Sequence, residues 1–168
     1  MTTPTHPADI QIQTRPPLDR PEPEPSIYSP PKPLVLLAED EPIVREYMTS
    51  LLRELGYRVV KAADGVEALT LFKQIPGMMI DLLLTDIIMP KMNGKELAYR
   101  IGLLSPETKV MFCSAYPEKL ASQNGMIDAR VPFLQKPVTA ETLAAKMREV
   151  LNEEKEDLPA EWLMDEQS

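Results

Sequence analysis

Residues 82–94 read LLLTDIIMPKMNG, and this stretch decides the fold. Leu82, Leu83 and Leu84 form a short apolar run bounded by turn signals, the pattern of a strand buried on both faces. The run stops at Thr85 and Asp86. Pro90 and Asn93-Gly94 then demand a loop, because proline cannot join a ladder and Asn-Gly favours tight turns. Asp86 is therefore expected at the carboxyl end of a buried strand, where open α/β sheets place their ligands. As a cap it would stand too far ahead of the helix that starts near Gly94.

Working outward, the same alternation repeats. LVLLA from Leu34 reads as a buried strand and ends in Glu39, Asp40 and Glu41. Pro42 suits a first helical turn, and Ile43, Val44, Tyr47, Met48, Leu51, Leu52 and Leu55 recur at helical spacing as far as Gly56. Tyr57–Ala62 is a second strand with mixed faces, as at a sheet edge. Asp64 caps a second helix through Gln74, with Val66, Ala68, Leu69, Leu71 and Phe72 on its apolar side. A third helix runs from Gly94 to Leu104. Lys109–Cys113 gives a fourth strand ending at Ser114, and Val131–Gln135 a fifth ending at Lys136-Pro137. A weaker helix is expected over Glu118–Gln123. Thr139 opens a strongly periodic last helix carrying Leu143, Met147, Val150 and Leu151, with Glu141 and Thr142 in its first turn. Five strands alternating with five helices imply an open, doubly wound parallel sheet, since right-handed crossovers bury such strands economically.

The chain is 168 residues long, enough for one ordinary domain. Its net charge of −8 is unevenly placed: residues 34–153 hold 14 Lys and Arg against 16 Asp and Glu, whereas residues 154–168 hold one base against six acids. No basic stripe exists to track phosphates, so direct nucleic-acid binding is not expected. Residues 1–33 carry ten of the eighteen prolines and almost no apolar pattern, so a disordered, partly extended leader is expected, with His6 assigned no role. In the acidic tail, Leu158, Trp162 and Leu163 of LPAEWLMD could form a short docking turn. Cys113, the only cysteine, excludes an internal disulfide and reads as a small core residue. No stretch is apolar enough to span a bilayer or to act as a signal peptide, which makes the cytoplasm the expected compartment.

Four of the five strands finish in a reactive polar group. In a parallel sheet Glu39 and Asp40, Asp86, Ser114 and Lys136 share one rim although they are scattered in sequence. Three carboxylates at close range repel, and a hard cation with oxygen ligands, Mg²⁺, resolves the conflict. Ser114 offers a hydroxyl donor and Lys136 a point charge, both suited to a tetrahedral dianion. The composite is a phosphoryl site with Asp86 as nucleophile.

Residues 34–152 resemble the receiver domain of two-component response regulators (CheY-like) through LLAEDEP at 36–42, LLLTDIIMPKMNG at 82–94, FCSAY at 112–116 and FLQKP at 133–137. The wording around VPFLQKP is similar to receivers attached to hybrid sensor kinases. The resemblance implies a flavodoxin-like strand order 2-1-3-4-5, a receiver over residues 34–153 and a tail over 154–168. It implies Asp86 as phosphoacceptor, Asp40 as direct Mg²⁺ ligand, Glu39 acting mainly through water, and the Ile88 carbonyl as a further ligand. Ser114 and Phe133 stand at the switch positions, Lys136 at the phosphate-pairing lysine, and Ile88 and Tyr116 at positions flanking the phosphoryl group. The Lys136-Pro137 bond is implied to be cis. Glu39, Ser114 and Phe133 replace the commoner Asp, Thr and Tyr.

The implied activity is acceptance of a phosphoryl group from a sensor histidine kinase or a histidine phosphotransfer protein, with output to a protein target that the sequence does not name. Three alternatives stay open: a phosphate shuttle or sink without output, an aspartate-dependent phosphohydrolase of the haloacid dehalogenase type, and a receiver-shaped module that is never phosphorylated. The phosphohydrolase pattern has a second Asp where this chain has Ile88.

Overall fold

A computed structural model describes residues 31–75, 79–117, 128 and 130–152. The expected leader as far as residue 30, the helix over 118–123 and the tail lie outside the described residues. The last leader residues Lys32 and Pro33 are described, and their carbonyls accept from the Arg58 Nε–H and N–H respectively, each at 3.0 Å. Five strands, β1 (Leu34–Ala38), β2 (Arg58–Ala62), β3 (Leu82–Asp86), β4 (Lys109–Ser114) and β5 (Phe133–Gln135), form one parallel sheet in the order β2-β1-β3-β4-β5. Among the described residues four helices accompany them: α1 (Pro42–Glu54), α2 (Gly65–Gln74), α3 (Gly94–Leu104) and α4 (Ala140–Asn152).

The apolar runs explain the layers. All five residues of β1 are buried, so its alternate side chains feed two cores. Leu34, Leu36 and Ala38 join Leu83, Ala68, Leu97 and Ile101 on the side covered by α2 and α3. Val35 and Leu37 join Leu82, Leu84, Met48, Leu52, Leu143 and Met147 on the side covered by α1 and α4. β2 is an edge strand, in keeping with its mixed faces.

Helix starts follow their capping chemistry. Asp64 accepts from the Glu67 N–H at 2.9 Å, and Glu67 Oε2 accepts in return from the Ala63 N–H at 2.6 Å. Before α4, Thr139 Oγ1 accepts from the Thr142 N–H at 3.2 Å, while Thr142 Oγ1 accepts from the Thr139 N–H at 3.1 Å.

Several sequence expectations need correction, and Tyr47 and Leu55 of the α1 stripe are exposed along with the residues that follow. Ile43 is 79% exposed, because the stripe of α1 that meets the sheet is Val44, Met48, Leu51 and Leu52, and its neighbour one position earlier is turned about 100° away. Val66 is exposed for the same reason on α2, whose buried positions are Gly65, Ala68 and Leu69. The fifth strand starts at Phe133 rather than Val131, since Pro132 has no N–H to lend a ladder, although its carbonyl accepts from the Phe112 N–H at 2.9 Å.

The registers bring the functional strand ends level. Ala38 lies beside Thr85, Asp86 beside Cys113 and Ser114 beside Gln135. The rim that follows these pairs carries the polar groups.

Candidate functional site: an acidic rim closed by a lysine

Glu39 follows β1 directly, and its N–H still bonds the Ala62 carbonyl at 3.1 Å, so its side chain is held at the rim and buried. Asp40, one residue on, is exposed. Asp86 ends β3 half-buried, with its carbonyl accepting from the Thr85 hydroxyl at 2.9 Å. It does not cap α3: Asn93 does, accepting from the Glu96 N–H at 2.8 Å. Beyond β5 the Lys136 N–H bonds the Ser114 carbonyl at 2.9 Å, and the Lys136-Pro137 bond is cis.

These elements converge on one ammonium. Lys136 Nζ donates to Glu39 Oε2 at 2.7 Å and to Asp86 Oδ2 at 2.8 Å, across 97 and 50 residues of chain. Carboxylate oxygens of Glu39, Asp40 and Asp86 lie within 4.8 Å of one another. Burial pushes the Glu39 carboxyl above the ordinary glutamate value, and the adjacent Lys136 offsets this only in part. Burial alone would lower Lys136, but its bonds to Asp86 and Glu39 outweigh that and hold it above the usual lysine range. With all four groups ionised the cluster keeps an excess of negative charge. Its donors are all hard oxygens, one of them exposed, so the residues present fit an oxygen-seeking divalent cation.

The remaining predicted residues surround this cluster. Ser114 is buried, and its hydroxyl oxygen accepts from the Tyr116 N–H at 3.1 Å. The Ile88 N–H donates to Asp86 Oδ1 at 3.3 Å, while the Ile88 and Tyr116 side chains are exposed. Phe133 is buried in the core on the α2–α3 side, away from solvent. Cys113 is buried and its thiol is pushed up to about 12 by desolvation, as fits a core residue.

Sequence reading missed three supports of the site. Arg45 Nη1 donates to the carbonyls of Glu39 at 2.6 Å and Asp40 at 3.2 Å. Gly94 lies so close to Asp86 that a Cβ there would stand 1.9 Å from the Asp86 carbonyl oxygen. Lys91, in the left-handed region at φ 66°, pairs through Nζ with the buried Asp64 at 2.5 Å and ties the loop after β3 to the start of α2. Only Gly94 left a trace in the sequence, as half of an Asn-Gly pair read as a turn.

Residues 35–148 match the family model described as the response regulator receiver domain. The chain belongs to that family. This receiver is 38% identical over 123 residues to the sensor kinase CckA of Brucella abortus, covering 73% of this chain but only 13% of the kinase. It is 31% identical to the response regulator receiver protein CpdR of the same organism, covering 70% of this chain and 95% of CpdR. The response regulator TrrA of Thermotoga maritima, crystallised with Mg²⁺ and BeF, is 30% identical with a TM-score of 0.58, covering 71% of this chain and 99% of TrrA. Receiver domains are signalling modules of two-component systems, and the matches include a sensor kinase and a response regulator receiver protein. Among the described residues no helix is long and apolar enough to cross a membrane.

Proposed function

We propose that this receiver accepts a phosphoryl group on Asp86 from a phosphohistidine protein, either a sensor histidine kinase or a histidine phosphotransfer protein. The change is then relayed to a protein target through a rearranged surface. One observation carries the reading: Lys136 holds Asp86 Oδ2 at 2.8 Å and Glu39 Oε2 at 2.7 Å beside a third carboxylate. An ammonium so placed fixes the orientation of the Asp86 carboxylate and offers a positive charge to a phosphoryl group beside it.

In the transfer, a carboxylate oxygen of Asp86 bonds to phosphorus as the phosphorus–nitrogen bond of the phosphoimidazole breaks. The imidazole keeps the electron pair and takes a proton. The product on Asp86 is an acyl phosphate. Glu39, Asp40, Asp86 and the Ile88 carbonyl would hold Mg²⁺, which when bound supplies neutralisation of the phosphoryl charge. Lys136 pairs with a phosphoryl oxygen. The Ser114 hydroxyl donates to another while still accepting from the Tyr116 N–H, so it is drawn toward Asp86.

Phe133 has no hydroxyl, so it responds to that displacement by packing alone. Turning a population from 1:99 to 99:1 needs about 5.5 kcal/mol of preference for the active state. A hydrogen bond to a charged group contributes roughly 1.5–3 kcal/mol, so the Ser114 and Lys136 contacts together approach that figure.

The test is labelling by a small acyl or amide phosphate donor. The wild-type chain should be labelled only with Mg²⁺ present, and Asp86→Asn not at all. Label retained in Asp86→Asn, or acquired in full under chelation, overturns the proposal.

A further inference from the structure

We propose that Arg45 is a positioning residue for the metal site, an inference that rests on the phosphoacceptor reading above. Arg45 is the fourth residue of α1, close to the positive end of the helix dipole, where a cation is disfavoured. No acidic residue occupies the first turn to offset it. Something else must hold the guanidinium there, and its contacts say what. Side chains on a helix lean toward the helix N-terminus, so Arg45 reaches back past the first turn. Its Nη1 donates to the Glu39 carbonyl at 2.6 Å and to the Asp40 carbonyl at 3.2 Å.

Those carbonyls belong to the two residues that supply two of the three clustered carboxylates. The same segment is anchored on its other sides: the Glu39 N–H bonds Ala62 at 3.1 Å, and the Glu41 N–H bonds Glu39 Oε1 at 3.3 Å. Arg45 itself is fixed in the helix, its N–H on the Glu41 carbonyl at 2.9 Å and its carbonyl accepting from the buried Thr49 hydroxyl at 2.7 Å. The guanidinium thus clamps successive peptide planes, and the planes set where the two side chains point. Outer contacts of this kind orient metal ligands without touching the metal.

Two roles make opposite predictions. If Arg45 acted as a counter-charge for the acids, removing it would strengthen Mg²⁺ binding, because a repelling cation is gone, and lysine would replace it fully. If it acts as a clamp, removing it weakens binding, and lysine restores only part, since its ammonium sits one atom nearer the helix than Nη1 and is more strongly hydrated.

The measurement is Mg²⁺ affinity from amide chemical-shift titration with MgCl₂ alone, on wild type, Arg45→Met and Arg45→Lys, at a temperature where each is folded. Arg45→Met is expected to bind Mg²⁺ about 10-fold more weakly or worse, with Arg45→Lys between it and wild type. Wild-type or tighter affinity in Arg45→Met overturns the inference. So does wild-type affinity in Arg45→Lys, which decides the question alone if Arg45→Met does not fold. Asp40→Asn and Asp86→Asn are titrated alongside. Wild-type Mg²⁺ binding that survives both would instead remove the metal-site reading itself.

Discussion

Gly94→Ala should damage stability and phosphorylation together. A Cβ at Gly94 would stand 1.9 Å from the Asp86 carbonyl oxygen, 2.9 Å from its carbon and 3.0 Å from Thr85 Oγ1. Real Cβ contacts do not fall below 3.0 Å, so 3.0 minus 1.9, or 1.1 Å, must open between α3 and the end of β3. Neither side yields readily. The Asp86 carbonyl is held by the Thr85 hydroxyl at 2.9 Å, and the Gly94 N–H bonds the Ile87 carbonyl at 2.8 Å. Overpacking of this kind costs about 1–3 kcal/mol, and two pinned backbones place this case toward the upper end. For a domain of this size that is a fall in Tm of roughly 6–12 °C. Gly65→Ala is the internal comparison: its closest contact would be the Met92 carbonyl at 2.6 Å, needing a smaller shift from a loop. Thermal melts in chelator should rank wild type above Gly65→Ala and Gly65→Ala above Gly94→Ala, with Mg²⁺-dependent labelling of Gly94→Ala strongly reduced. A Gly94→Ala protein that melts with wild type and labels normally would refute the close-packing argument.

Lys136→Met leaves Glu39 and Asp86 facing each other without their shared cation. It should lose about 1–3 kcal/mol in metal-free buffer, and Mg²⁺ should raise its Tm more than that of wild type; equal Mg²⁺ effects would count against the shared-charge reading. Asp64 is held below its ordinary carboxyl range by the Lys91 ammonium and then by the Glu67 N–H. The unfolded chain therefore binds that proton more readily, so the stabilisation is present above the unfolded Asp value and is lost as pH falls through the folded one. Asp64→Asn, which keeps the cap but not the charge, should be less stable than wild type at neutral pH, with the gap closing in acid; a pH-independent gap in urea melts would exclude the charge as its source. Ile88, 58% exposed beside Asp86, should shield the acyl phosphate from in-line water. Ile88→Asn is expected to shorten the phosphoryl lifetime severalfold, and an unchanged decay rate would count against shielding.

The sequence alone was enough for the order and type of the described elements, because burial imposes periodicities that can be read locally. Three leucines ahead of Asp86, bounded by turn signals, suit a doubly buried strand, and β3 and α3 fall where LLLTD and GKELAYRIGLL placed them. The same rule located Glu39, Asp40, Asp86, Ser114 and Lys136 at strand ends, and parallel topology implied a common rim. Periodicity did not say which flank of a stripe would meet the sheet, so Ile43 and Val66, grouped with the apolar stripes of their helices, stay exposed. Only the tertiary structure decided how the rim is held together. Lys136 bridging two acids, Arg45 clasping two carbonyls and α3 pressing on Asp86 are contacts of reach and register between backbones. Such distances are set by how crossovers stack helices on the sheet, and no local pattern of residue types encodes them.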